Sequence, residues 1–233
     1  MKLHAPAPRW SAFACGLLLV AEAGASGHFD VDDAGTLDVD QCLVEAWAGR
    51  VRSPATQGFQ HLGGACAVGR VEVGLNLDRA ASPDAATVAS GGPQVKWTFL
   101  GREPDAAWSA AATLAATVDL RHGGRPGGQF VLPLSWRVSE PLSIHVNVGT
   151  DWATRSGVAT ARRGAALEWA CTEGLTLIAE RHRAVDLWTS RLGARITIAP
   201  LTSIDVSVSR SGPVDGGRQR SVVIGFNREF SRD

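Results

Sequence analysis

The chain has 233 residues with 23 basic and 23 acidic side chains and no break in composition, so one domain is expected and no global charge draws it to nucleic acid. Hydrophobic residues make up 45% of it, yet no apolar run reaches the ~18–20 residues that a membrane helix needs. A helical membrane protein is therefore not expected. A transmembrane barrel is still allowed, because its strands are apolar on one face only.

Residues 1–25 read as an export signal. Lys2 and Arg9 make a positive start, and Trp10 to Ala21 form a short apolar stretch centred on Gly16 to Val20. Ala21-Glu22-Ala23 and Ala23-Gly24-Ala25 both fit the small-residue cleavage pattern. Cleavage is placed after Ala25, with Ala23 as the other site. Removal of Lys2, Arg9 and Glu22 leaves 21 basic and 22 acidic groups, which is still close to neutral. Cys15 lies ahead of the apolar stretch rather than at the cleavage site, which argues against a lipid anchor. Export also permits disulfides.

From residue 41 onward, short alternating segments are separated by turn residues. Val71, Val73, Leu75 and Leu77 alternate with polar or small residues, as do Phe130, Leu132, Leu134 and Trp136, and later Val222, Ile224 and Phe226. Period two over so many segments is the signature of strands. Twelve are expected, at about 41–52, 57–67, 70–79, 93–101, 106–119, 129–138, 142–152, 161–171, 175–183, 187–198, 203–210 and 221–230. Short turns near 68–70, 101–105, 139–141, 172–174 and 199–202 alternate with connections that are mostly longer, at 80–92, 121–128, 153–160 and 211–220. This is the layout of an outer-membrane β-barrel with tight periplasmic turns and longer external loops. A soluble β-sandwich also has many short alternating strands, but its loops do not sort so regularly. The domain at 26–233 is therefore expected to be an all-β antiparallel barrel in the bacterial outer membrane, in contact with lipid.

Trp97, Trp136, Trp152, Trp169 and Trp188 fall on the apolar parity, where interfacial girdles draw their residues. The last strand ends in Phe226, Arg228 and Phe230, and Ser231-Arg232-Asp233 follow. A closing strand of this kind, 221–230, looks like the signal read by barrel-assembly machinery.

His28-Phe29, then Asp32-Asp33-Ala34-Gly35-Thr36, then Gln41-Cys42-Leu43-Val44-Glu45 resemble the opening of a bacterial family of outer-membrane proteins. That family is associated with the MetA pathway of phenol degradation. Gly69-Arg70-Val71-Glu72-Val73-Gly74-Leu75 is similar too. The resemblance is best over the first fifty mature residues. It implies an outer-membrane barrel with a role in transporting organic compounds, and it does not make phenol the substrate.

Motifs for chemistry are absent. There is no phosphate loop, no Gly-x-Ser-x-Gly elbow and no Cys-x-x-Cys, and His28, His61, His122, His145 and His182 lack metal-ligand spacing. Glu180-Arg181-His182 sits near a strand end and reads as a solvated rim rather than a metal site. Ser143, His145 and Asp151 share one strand face, but their spacing does not bring all three together. No enzyme activity, metal or cofactor is expected.

What remains is the inward face. By parity it carries Glu72, Lys96, Arg137, His145, Glu168, Glu180, Arg191, Arg195 and Asp205, with Asn76, Asp78, Asn147, Asn227 and Glu229 beside them. Either these groups pair across the lumen and fill it, or they line a narrow polar passage for small solutes and set its selectivity. Replacing Arg191 and Arg195 by Glu is expected to shift ion preference at little cost in folding. The function expected is that of a channel or transporter, with a non-conducting structural or interaction barrel as the alternative. Of the three mature cysteines, Cys42 and Cys66 face each other in a hairpin centred on residue 54 and share a parity, which predicts a disulfide. Cys171 stands on the lipid-facing parity of its own strand.

Overall fold

The computed structural model describes residues 28–232 apart from 54, 83–84, 104, 122, 124–126, 154–156 and 213–217. The export signal expected at 1–25 lies outside the described residues. Twelve strands form among those described: β1 (Gln41–Ser53), β2 (Ala55–Val68), β3 (Val71–Ser82), β4 (Ala85–Leu100), β5 (Trp108–Asp119), β6 (Gly127–Ser139), β7 (Leu142–Ala153), β8 (Val158–Thr172), β9 (Leu175–Ala184), β10 (Leu187–Ala199), β11 (Thr202–Gly212) and β12 (Gln219–Ser231). Each pairs with its sequence neighbours, and β1 pairs with β12 from Gln41↔Ser231 to Arg52↔Arg220, which closes the barrel. Closure leaves no unpaired sheet edge.

The alternation seen in the sequence becomes two faces of opposite character. Leu75, Leu77, Leu114, Leu132, Leu192, Ile196, Val208 and Ile224 are exposed outside. Lys96, His145, Asn147, Glu180, Arg195 and Asp205 are buried inside. This is the reverse of a soluble protein, and an apolar exterior of such extent suits hydrocarbon. Several aromatics gather on the outer wall near the short turns: Trp108 stacks on Trp136 at 5.1 Å, and Trp97 lies 5.6 Å from Phe99. Such a band is where a membrane interface places them. At the opposite end the guanidinium groups of Arg163 and Arg181 lie 5.5 Å and 5.0 Å from the Trp188 ring centre.

The expected long connection at 80–92 is corrected. β3 and β4 run on as a paired hairpin through Ala80↔Val88 and Ser82↔Ala85. Alternation of large apolar residues marks a strand only while one face meets lipid. Beyond that level, Ala, Ser and Thr keep the backbone ladder without the pattern. The disulfide Cys42–Cys66 is present, at a Cα–Cα distance of 4.0 Å and in the predicted register. Cys171 is free, its Sγ 3.6 Å from the Trp169 carbonyl oxygen.

Candidate functional site

Residues 28–38 do not join the wall. They run from the short-turn end up into the lumen. Asp40, at a φ of 64°, marks the reversal that returns the chain to β1, and the Gln41 N–H donates to the Asp38 carbonyl at 3.0 Å. Non-glycine residues rarely adopt this conformation, but Asp is among those that tolerate it.

Most steps of this segment find a partner on the wall, and the Gly35 N–H bonds within the segment to Asp33 Oδ1 at 2.7 Å. The Leu37 N–H donates to Glu72 Oε2 at 3.1 Å. The Ala34 N–H donates to Ser135 Oγ at 2.9 Å, and its carbonyl accepts the Thr98 hydroxyl at 2.6 Å. Asp32 and Asp33 both meet Lys96 Nζ, at 3.0 Å and 3.2 Å. Oriented to satisfy both its groups, the Asn147 amide donates to the Asp32 carbonyl at 2.8 Å and accepts from the Asp32 N–H at 2.7 Å. The Val31 and Asp30 N–H groups donate to Glu180 Oε2 at 2.9 Å and 3.0 Å. The Asp30 carboxylate pairs with Arg191 at 2.8 Å. His28 Nε2 meets Ser207 Oγ at 2.6 Å, and the His28 carbonyl accepts from Arg191 Nη1. A backbone buried away from strands must be satisfied in some such way.

Apolar contacts complete the seat. Phe29, Val31 and Ala34 are buried, although they belong to no strand. Glycines on the wall leave them room: a Cβ at Gly193 would lie 2.8 Å from Phe29 Cζ, and one at Gly164 2.8 Å from Val31 Cγ2. A Cβ at Gly225 would stand 3.1 Å from His28 Nδ1. Burial, reinforced by Arg191, holds the His28 imidazole down at about 4, so it is neutral at physiological pH. Asp30 lies below the ordinary carboxylate range; burial opposes this, but Arg191 and His182 outweigh it.

The other inward residues divide into groups. Arg195 Nε and Nη2 donate to the two oxygens of Asp205 at 2.9 Å and 3.1 Å, and Asn227 adds a third donor at 2.9 Å. Glu168 lies 3.7 Å from His145 Nε2, and Arg137 stands opposite Ser143 at the turn end of β6. His61 sits between Glu45 at 3.3 Å and Asp78 at 2.8 Å, with the Trp47 ring stacked on it at 4.5 Å.

Two expectations change. Glu180 faces the lumen as its parity predicts, but it and His182 are not a solvated rim: both are buried, because the N-terminal segment packs over them through Asp30 and Val31. With Asp30 they approach within 4.8 Å of one another, but Arg191 already supplies positive charge to Asp30 at 2.8 Å and to Glu180 at 3.4 Å. Arg191 and Arg195 are each held in ion pairs inside the wall, so replacing both by Glu is now expected to cost folding as well as to shift ion preference. The Ser143, His145 and Asp151 set does not assemble. His145 Nδ1 instead meets Ser135 Oγ at 2.7 Å. That hydroxyl also takes the Ala34 N–H, so the N-terminal segment covers it.

Beside the segment a cavity of about 670 Å³ remains, lined by Trp47, His61, Glu72, Gln94 and Thr113, among others. A smaller one of about 320 Å³ lies by His28, Phe59, Arg79 and Arg191. The lumen is therefore neither empty nor packed solid.

A closed twelve-stranded barrel with an apolar outside and a polar, partly filled inside belongs to the architecture of outer-membrane barrels. The chain is a member of the family described as uncharacterised conserved protein UCP029691, which matches residues 14–230. Among solved structures it is similar to the KdgM porin, at a TM-score of 0.62 and 8% identity over 81% of this chain and 99% of that one. It is similar to the NanC porin at 0.62 and 11% identity, over 79% and 98%. An outer membrane channel from Pseudomonas putida F1 gives 0.62 at 13% identity, over 87% and 100%. At such identities the likeness is one of fold. No curated protein matches the chain.

Proposed function

We infer that this protein is an outer-membrane channel for small solutes, restricted by its own N-terminal segment. The observation that carries the reading is the polar cavity left beside residues 28–38 within a closed barrel whose outer wall is apolar. In this reading residues 1–25 are a cleaved export signal and 26–233 the barrel domain. The short turns lie in the periplasm, and the β12 residues 221–230 are offered to the assembly machinery. Glu72, Lys96, Arg137, His145, Glu168, Glu180, Arg191, Arg195 and Asp205 line the lumen. Lys96, Glu72, Glu180 and Arg191 hold the segment, while Arg195 and Asp205 brace the wall. The similar barrels are porins and an outer membrane channel, which supports transport. The resemblance to the family associated with phenol degradation supports small organic solutes as a class.

The second reading is a non-conducting barrel, and the seated segment is the observation that favours it. Reconstitution in planar bilayers separates the two. The intact chain is expected to give small or intermittent conductance, and deletion of residues 28–37 a larger and steadier one. Gly225→Leu, which crowds His28 and keeps the segment, should move conductance the same way. Silence from all three, with each protein folded, would leave the non-conducting barrel.

A further inference from the structure

The space left beside the N-terminal segment is lopsided in charge. Nine carboxylates line the 670 Å³ cavity among the described residues, including Glu45, Glu72, Asp78, Asp151 and Glu229 on the wall and Asp38 on the segment. The cationic side chains there are Lys96 and Arg162, with the His61 imidazole between Glu45 and Asp78. All three are engaged, Lys96 by Asp32 and Asp33, Arg162 by Asp151 at 2.9 Å and His61 by Glu45 and Asp78, so the surplus rests on Asp38, Glu72 and Glu229. Arg191 and Arg195 lie on β10, where Asp30, Glu180 and Asp205 hold them. The two signs are thus sorted across the lumen, with the open volume on the negative side. Carboxylates crowded in a low-dielectric cleft raise the local concentration of cations and exclude anions.

A second feature points to a guest. Thr113 is only 3% exposed and lines the same cavity, yet its hydroxyl has no partner among the described residues. A buried polar atom left this way costs free energy until something bonds to it. The volume lies within the range of small-molecule pockets and exceeds what one bare ion requires. Trp47 lines the cavity as well, and its indole offers apolar and cation-binding surface.

We propose that this cavity binds a small organic cation, an amine or guanidinium compound, and that the barrel passes cations in preference to anions. The proposal rests on the channel reading for its second half and on the cavity alone for its first. Agmatine, glutarate and glucose are the probes, titrated by calorimetry into the intact chain in detergent, with reversal potentials read in bilayers under a potassium chloride gradient. Agmatine is expected to bind, while glutarate and glucose do not. Glu72→Gln with Glu229→Gln, which keeps both acceptors and removes two charges outside the His61 pair, should weaken agmatine by about tenfold. Thr113→Val should weaken it in a barrel of unchanged thermal stability. The reversal potential should have the sign of cation preference and move toward zero in the double variant. Agmatine binding with silent bilayers would overturn the channel and keep the site. Conductance without cation preference, from a folded barrel that does not bind agmatine, would overturn this proposal and keep the channel. Equal binding of agmatine and glutarate would also overturn it.

Discussion

Asp205 is fully buried and accepts two hydrogen bonds from Arg195 and one from Asn227. A forked guanidinium–carboxylate contact has the stronger geometry of charge-assisted bonds, but its members depend on each other. Arg195→Met should cost ~3–5 kcal/mol by leaving the carboxylate unpaired. Adding Asp205→Leu should recover most of that loss, as read by urea unfolding in lipid vesicles; no recovery would show that the pair is not the cause. His28 acts on the segment rather than the wall. It faces Arg191 and Arg195 from β10, Asp205 from β11 and Asp30 from its own segment. Its pKa falls from 6.5 to about 4 when seated. Below 6.5 the unseated imidazole takes up a proton that the seated one resists, so acid favours release. The contribution is complete above pH 6.5 and lost as pH falls toward 4, amounting to ~3 kcal/mol. Hydrogen-exchange protection at the Val31 and Ala34 amides, corrected for intrinsic rate, should therefore drop more steeply over that window than in His28→Gln. The carboxylates titrate in both proteins, so parallel curves would remove His28 from the account.

The β9–β10 hairpin turns on Val185 and Asp186, at φ values of 47° and 63°, between the paired Ala184 and Leu187. Two left-handed residues make the tight turn that follows strand twist, but a β-branched side chain is strained there. Val185→Asn, which leaves the Asp186–Arg183 ion pair at 2.8 Å in place, should raise stability by ~1 kcal/mol, visible as a higher unfolding midpoint. An unchanged or lower midpoint would mean that Val185 has compensating contacts. Such turns are legible because they are local, and so is the Cys42–Cys66 pairing, which follows from hairpin centre and parity. Residues 28–38 were not legible as an element. They show no period, and their partners are remote in sequence: Glu72 stands 35 positions from Leu37, and Ser207 stands 179 from His28. One signal was available. Asp30, Asp32 and Asp33 form an acidic run just before the first strand, and the inward parity holds Lys96 and Arg191 to receive it. The burial of Glu180 and His182 escaped for the same reason, since the segment that covers them is remote in sequence, whereas the β3–β4 extension escaped because pairing there continues on small residues that leave no hydrophobic trace.

At the scale of the whole molecule, the two faces of the wall meet different media, and one added charge reads the difference. Leu192 lies near the middle of β10, 64% exposed on the outer face and paired with Val208 and Ala179. Gln94 lies on the inner face of β4, bonded by the Asn76 amide at 3.2 Å and bordering the acidic cavity. Arg at the outer position loses hydration to hydrocarbon. Arg at the inner position gains carboxylate neighbours in a polar space. Leu192→Arg should therefore destabilise the barrel by ~2–4 kcal/mol if it sits at the bilayer midplane. Gln94→Arg should cost well under that and should dull the cation preference of the lumen. Urea unfolding of both variants in vesicles compares the costs directly. In detergent the outer penalty should shrink, because a thin and deformable micelle lets the guanidinium reach water. Equal damage from the two substitutions, or a Gln94→Arg barrel less stable than Leu192→Arg, would reverse the assignment of faces on which both the lipid contact and the cavity depend.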